Sequence, residues 1–144
     1  MWIIVALISG ALMSVQGVFN TEVTKQSGIW VSASFVQFTA LLTCLVAWFV
    51  TGRDKFSAIA KVDNKYMLLG GVIGAFITYT VIKSMENAGP AQAVLAIIIS
   101  QLIVAYLIEL FGLFGVEKAE FSWQKLIGAL VAIAGFVIFK WEKS

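Results

Sequence analysis

The sequence predicts an all-α integral membrane protein, built as a bundle of five transmembrane helices. Hydrophobic residues make up 60% of the 144 positions and charged residues only 12%, whereas soluble domains average about 45–50% and about 25% for these classes. The apolar residues are also clustered at bilayer length, because a helix needs about 20 of them to cross a hydrocarbon layer about 30 Å thick. We therefore predict one transmembrane domain over residues 1–144 and no soluble core.

Five apolar stretches follow one another along the chain. None of the five contains a charged residue, and the third and fifth are the shortest. They cover residues 1–21, 26–52, 66–82, 87–108 and 126–139. The predicted helices accordingly span residues 2–22, 30–50, 66–85, 90–111 and 123–140.

Aromatic residues near the helix ends support these spans independently of hydropathy. Amphipathic rings favour the depth of the lipid headgroups, and the chain carries such rings at Trp2, Trp30, Tyr66, Trp123 and Trp141. The first helix is predicted to be retained rather than cleaved as a secretory signal, because no basic residue precedes Lys25 and its apolar stretch is too long. The fourth begins at Pro90, whose missing N–H costs nothing in a first turn.

The longest loop, residues 53–65, reads R-D-K-F-S-A-I-A-K-V-D-N-K. Its apolar residues Phe56, Ile59, Ala60 and Val62 are compatible with a short helical turn at the membrane interface. An ordinary solvated loop is the alternative, and both stay open at this point.

Basic residues are almost balanced between the two sides of the membrane. An odd number of spans places the termini on opposite sides, with six basic residues on the side of the N-terminus, namely Arg53, Lys55, Lys61, Lys65, Lys118 and Lys125. The other side carries four, which are Lys25, Lys83, Lys140 and Lys143. The small excess favours a cytoplasmic N-terminus, and a chain this balanced is a candidate for insertion in both orientations.

Rows of small residues recur at helical spacing in the third and fifth helices. The candidates for helix or dimer packing are Gly70, Gly74, Gly128, Ala132 and Gly135. Small residues let helix backbones approach closely in lipid, where the hydrophobic effect no longer drives association.

Four primary amides lie within or close to the predicted spans, at Gln16, Asn20, Gln37 and Gln101. An unsatisfied polar group in hydrocarbon costs several kcal/mol, so each amide must face protein or a wet cavity. Hydrogen bonds between helices would satisfy them, at about 0.6–2 kcal/mol per contact. Four amides from three helices favour a polar cavity.

Two carboxylates near helix ends are candidates for ion coupling. Glu109 lies two turns below Gln101 on nearly the same face of the fourth helix, and Glu86 follows Lys83 at the end of the third. Ionisable residues within membrane helices are functional candidates by default. Their closeness to helix ends also permits snorkelling or pairing.

Several function classes are disfavoured by composition. The chain has no His and a single cysteine, Cys44, so we expect no metal site, no cofactor, no catalytic residues and no enzyme activity. The net charge of +2 is spread along the loops and does not indicate nucleic-acid binding.

Longer motifs resemble a known family over essentially the whole chain. They read V-Q-G-V-F-N at 15–20, S-F at 34–35, L-G-G-V-I-G-A-F at 69–76, S-Q-L-I-V-A-Y-L-I-E-L-F-G-L-F-G at 100–115 and F-S-W-Q-K-L-I-G-A-L at 121–130. With these motifs the chain resembles the YdcZ-like (DUF606) family of the drug/metabolite transporter superfamily. It departs from the family at Ser100, Glu109 and Gln37, where Gly, Asp and a small residue are usual.

A more distant similarity links the chain to small multidrug resistance transporters, through helix size and the spacing of Gly128 and Gly135. Those proteins carry a proton- and drug-binding glutamate in the middle of the first helix. The corresponding stretch here reads A-L-M-S-V-Q-G without a carboxylate, so a mechanism built on that residue does not transfer.

The resemblance implies a small transporter in the cytoplasmic (inner) membrane that works by alternating access. Five helices are few to enclose a path, and transporters commonly place substrate between inverted repeats near the midplane. We therefore expect an antiparallel dual-topology homodimer that moves a small polar or amphipathic metabolite. The substrate-binding candidates are Gln16, Asn20, Ser34, Gln37 and Gln101. A heterodimer with an oppositely oriented homologue, or a non-transporting structural subunit, are the alternatives.

Overall fold

The computed structural model describes residues 1–141, and helices are the only regular secondary structure in that range. Its α-helices are α1 (Trp2–Ser27), α2 (Ile29–Thr51), α3 (Gly70–Ala88), α4 (Pro90–Phe111) and α5 (Trp123–Lys140). Short 3-10 helices lie at Phe56–Lys61, Lys65–Leu69 and Leu113–Gly115. No strand occurs among the described residues, so the predicted all-α class is confirmed. Lys143 and the end of the predicted domain lie outside them.

Five of these helical segments are long and apolar enough to cross a membrane, which confirms that prediction. The third candidate span, Lys65–Ala88, joins the second 3-10 helix to α3. No more than 6% of the most apolar window of any span is buried. Exposed apolar surface on this scale is unfavourable in water but is solvated by lipid chains.

The first helix is longer than the sequence predicts. The prediction ended it at residue 22, where charges begin, but Lys25 and Glu22 form an ion pair of 2.6 Å along the same helix. The helix continues past these charges to Ser27. It ends at Gly28, whose φ of 84° lies in the left-handed region that glycine adopts at little cost.

The chain divides into two compact units, residues 1–86 and residue 87 onward.

In the first unit, α1 and α2 form a tight hairpin, and α3 packs on both of them. Gly17 of α1 is buried against the side chains of Met85 and Val81. A Cβ added at Gly17 would lie 2.5 Å from the Met85 methyl carbon and 3.3 Å from a Val81 methyl carbon. Trp30 of α2 stacks on Tyr79 of α3 with ring centroids 5.0 Å apart. The contacts of α3 with α1 and α2 are therefore made by long side chains such as those of Met85 and Tyr79.

In the second unit, α4 and α5 form a hairpin with a longer connection over residues 112–122. The Tyr106 hydroxyl of α4 accepts a hydrogen bond of 2.9 Å from the Ser122 N–H. The Ser122 hydroxyl caps α5 by accepting from the Lys125 N–H at 3.4 Å. Tyr106 thus fixes where α5 begins relative to α4.

Candidate functional site

A groove of about 400 Å³ lies between α1 and α2, near the middle of both helices. It opens on the surface of the first unit, and its lining residues are Gln16, Phe19, Asn20, Val36, Thr39, Ala40, Thr43 and Cys44. None of these side chains is charged. Two of the predicted substrate-binding residues, Gln16 and Asn20, therefore lie together in one groove.

The α1 wall of the groove is held by hydroxyl groups that bond to main-chain carbonyls. The Asn20 carbonyl accepts from the Thr24 hydroxyl at 2.7 Å and from the Ser32 hydroxyl of α2 at 3.1 Å. One turn earlier, the Thr21 hydroxyl donates to the Gly17 carbonyl at 2.8 Å. Asn20, Thr21, Thr24 and Ser32 are buried, so this part of the hairpin is the fixed end of the groove.

The α2 wall contributes residues that the sequence analysis did not single out. Val36, Thr39, Ala40 and Thr43 recur at intervals of three and four residues, which places them on one helix face. That spacing was a usable signal. It is easily overlooked, because small hydroxyl residues in a membrane helix commonly bond to their own backbone and leave the hydropathy of the segment high.

The two threonines do bond in this way, and this sets what the groove offers. The Thr39 hydroxyl donates to the Val36 carbonyl at 3.0 Å, and the Thr43 hydroxyl donates to the Thr39 carbonyl at 2.9 Å. Their hydrogens are used, so each oxygen presents only acceptor capacity. The amides of Gln16 and Asn20 each add one acceptor and one N–H₂ donor.

No side-chain amide among Gln16, Asn20, Gln37 and Gln101 makes a hydrogen bond to another of the described residues. Interhelical hydrogen bonding, the alternative use for these groups, is therefore not observed within either described unit of the chain. Within its own unit, each of these amides is therefore available to water, a ligand or another chain.

The remaining amide and hydroxyl candidates lie outside the groove. Gln37 is half-buried and faces α3, with its Nε2 atom 3.3 Å from where a Cβ on Gly74 would lie. Ser34 is exposed on α2. Gln101 is exposed on α4, in the second unit.

Glu109, predicted to couple an ion, is paired with a lysine in the structure. The Lys125 Nζ atom of α5 lies 2.7 Å from the Glu109 carboxylate at the end of α4, with the two side chains 50% and 44% exposed. The Lys125 ammonium also lies 5.3 Å from the centre of the Tyr106 ring. The two residues are 16 apart in the sequence, and tertiary packing brings them together. The pair was therefore not predicted from the sequence, in which Lys125 counts only as a loop charge.

Glu86, the second carboxylate, pairs with Lys83 at 3.0 Å, one turn earlier on α3. A pair three residues apart on one helix needs no tertiary structure, and the sequence analysis had allowed for it.

The small-residue rows differ in their surroundings. Gly74 faces Gln37, whereas a Cβ added at Gly70, Gly128 or Gly135 would meet no atom within 4 Å. Ala132, between the two glycines of α5, is half-buried. The α5 row is therefore an open surface of the second unit, and its predicted packing role stays a prediction.

The described residues contain no cluster of three or more His, Cys, Asp or Glu side chains that could hold a metal ion. Cys44 is exposed in the groove and unpaired.

Comparison with known proteins gives the family of the chain. The profile described as "Putative inner membrane exporter, YdcZ" matches residues 1–138. Inner membrane protein YdcZ of Escherichia coli (strain K12) is 24% identical over 132 residues, which cover 90% of this chain and 87% of that protein. No solved structure matches the chain. With five helices able to span the membrane, the chain is a multi-pass inner membrane protein and belongs to the YdcZ family of membrane transporters.

Proposed function

We propose that the chain exports a small, neutral or weakly charged polar metabolite across the inner membrane by alternating access, with the α1–α2 groove as its binding site. The observation that carries this proposal is the position of Gln16 and Asn20 in an uncharged groove halfway along two spans. Their amides have no partner among the described residues. An unsatisfied amide in hydrocarbon costs several kcal/mol, and a polar substrate or its water removes that cost.

The chemistry of the groove narrows the substrate class. Both threonine oxygens are acceptors only, and two amides add two acceptors and two donor groups. Each of these oxygens has two lone pairs and each amide N–H₂ group has two hydrogens, so accepting positions outnumber donated hydrogens. This favours a molecule that carries hydroxyl, amine or amide hydrogens. Phe19 and Val36 supply apolar contact beside them, which suits an amphipathic molecule.

Cys44 provides a native test of whether the groove is wet. A water-soluble maleimide reacts with the thiolate, so Cys44 in proteoliposomes should react quickly if water fills the groove. The matched control is Val46→Cys in a Cys44→Ala background, because Val46 is 65% exposed on the same helix but does not line the groove. Equally slow labelling at both positions would mean a lipid-filled groove and would contradict the proposal.

The same reporter can identify the substrate. Compounds of the stated class are screened for protection of Cys44 from the maleimide, and those that protect are tested for transport in proteoliposomes. A compound that protects Cys44 and is transported defines the substrate. Transport of a compound without any protection of Cys44 would place binding elsewhere.

Function as an antiparallel dual-topology homodimer is part of the proposal. The near-balance of six basic residues against four supports insertion in both orientations. A groove open along one side supports closure by a second copy. Single cysteines at the N-terminus and in the loop over residues 53–65, in a Cys44→Ala background, are probed with an impermeant thiol reagent. Labelling of about half the molecules at each site is expected. Uniform protection would instead fix the N-terminus in the cytoplasm and contradict the antiparallel homodimer, and an oppositely oriented homologue would then be sought as partner.

Glu109 is the candidate for coupling transport to protons, and Glu86 is the second. Protonation of Glu109 would release Lys125, which lies 2.7 Å away, and so would loosen the end of the α4–α5 hairpin. Glu109→Gln should flatten the dependence of transport rate on pH, while Glu86→Gln leaves it in place. An unchanged pH profile in Glu109→Gln would remove Glu109 from the coupling step.

A further inference from the structure

We propose that the loop over residues 53–65, here called the basic loop, binds the headgroups of anionic phospholipids at the membrane surface. The inference does not depend on the transported substrate. The loop connects two candidate spans, one ending at Thr51 and the next beginning at Lys65. It is therefore held at a bilayer surface at both ends.

The start of the loop is fixed against the end of α2. The Trp48 indole N–H donates to the Asp54 carbonyl at 2.8 Å, and the Trp48 ring lies 4.8 Å from that of Phe56. The Arg53 guanidinium lies 3.9 Å from the centre of the Phe49 ring. Tryptophan favours headgroup depth, so these contacts hold the loop at the level where phosphates lie.

The 3-10 helix within the basic loop is amphipathic: apolar and basic side chains lie on different edges of it. Residues 56–61 form a 3-10 helix, in which side chains three apart lie above one another. Phe56 and Ile59 share one edge and are 55% and 51% exposed. Lys55, the capping residue, and Lys61 share another edge. One edge can enter the acyl boundary while the other reaches phosphate oxygens, which is how interfacial segments bind anionic lipid.

The charge of the loop selects the lipid. Four exposed basic side chains stand against two acidic ones, Asp54 and Asp63, and the basic residues are Arg53, Lys55, Lys61 and Lys65. The ion pairs found among the described residues involve none of these six side chains. The ammonium and guanidinium groups are therefore available to lipid phosphates rather than neutralised within the protein.

Lipid retention by the full chain tests the inference. The protein is purified from micelles containing equimolar phosphatidylglycerol and phosphatidylcholine, and the retained lipid is measured by mass spectrometry. We expect phosphatidylglycerol to be enriched at least about fivefold, the effect of a single basic residue near an anionic surface. Replacing Arg53, Lys55, Lys61 and Lys65 by Gln should return the ratio to that supplied.

Two further variants separate the loop from general charge and from misfolding. Gln at Lys25, Lys118 and Lys140, which lie outside the loop, should leave the enrichment unchanged. Asp54→Asn with Asp63→Asn should increase it, an effect that loss of fold cannot produce. Retention of wild-type enrichment by the fourfold variant, or the absence of any enrichment in the wild type, would overturn the inference and leave an ordinary solvated loop.

Discussion

The two helical hairpins of this chain are held together by different chemistry. The α1–α2 hairpin turns at Gly28, and the Ser32 hydroxyl of α2 joins it to α1 by donating to the Asn20 carbonyl at 3.1 Å. The α4–α5 hairpin has a longer connection and is joined by the Glu109–Lys125 ion pair at 2.7 Å, beside the hydrogen bond from the Ser122 N–H to the Tyr106 hydroxyl at 2.9 Å. Asn20 lies seven residues before the end of α1 at Ser27, whereas Glu109 lies two residues before the end of α4 at Phe111. On the second helix of each hairpin the positions are alike, since Ser32 is the fourth residue of α2 and Lys125 the third of α5.

The depth of the contact along the first helix of each hairpin explains why one contact is uncharged and the other ionic. A charged pair buried in hydrocarbon loses its hydration, whereas a hydroxyl can satisfy a main-chain carbonyl at little cost. Uncharged contacts therefore suit the part of the hairpin that borders the groove, and ionic contacts suit the wetter end. The α1–α2 hairpin is suited to binding a neutral molecule, and the α4–α5 hairpin to an ionic contact that can open.

The largest expected effect on transport comes from removing the groove amides. Gln16→Leu and Asn20→Leu should each lower transport at limiting substrate about tenfold, since each removes a hydrogen bond worth about 1.4 kcal/mol. The midpoint of thermal unfolding in detergent should hardly change, because neither side-chain amide makes a hydrogen bond to another of the described residues. Gln26→Leu, on the same helix but outside the groove, is the control. A large loss of stability in the groove variants would favour a structural role.

The next effect concerns the spacing of α1 and α3. Gly17→Val should destabilise the protein by about 1–3 kcal/mol, because the new side chain would overlap Met85 and Val81. Gly10→Val on the same helix should be nearly neutral, since a Cβ there meets no atom within 4 Å. Thermal unfolding followed by tryptophan fluorescence measures both. Met85→Ala should partly restore the Gly17 variant, and equal destabilisation at both glycines would contradict the packing described.

A smaller effect is expected from the hydroxyl that joins α1 to α2. Ser32→Ala removes the bond to the Asn20 carbonyl and should cost about 0.6 kcal/mol, the average for interhelical hydrogen bonds in membranes. Ser34→Ala, at an exposed position two residues later, should leave the unfolding midpoint unchanged. If the two variants unfold alike, the Ser32 contact does not stabilise the hairpin.

The smallest expected effect on stability comes from the ion pair. The coupling energy between Glu109→Gln and Lys125→Met in a double-mutant cycle should be about 0.2–1 kcal/mol, because both side chains are partly exposed and screened. It should decrease further in 1 M salt. A coupling energy above about 2 kcal/mol would mean that the ion pair is less solvated than its exposed fraction indicates. The two hairpins would then differ less in the solvation of their contacts.

The candidate site was predictable from the sequence in part. Gln16 and Asn20 could be singled out because amides are costly in hydrocarbon and lie four residues apart on one helix. Thr39 and Thr43 were not recognised, since their hydroxyls bond to their own helix and leave little trace in hydropathy. Gln37 illustrates the reverse case: its residue type suggested the cavity, but in the structure it faces Gly74 of α3.

The sequence by itself determined the class of the protein, because spans of bilayer length, their aromatic ends and the family motifs are properties of consecutive residues. It also determined the local pair of Lys83 and Glu86, which one helical turn brings together. Only the tertiary structure decided which polar residues share the groove and that Glu109 meets Lys125. These contacts depend on the rotation of each helix about its axis. In lipid that rotation is set by close packing at sites such as Gly17 rather than by a hydrophobic face.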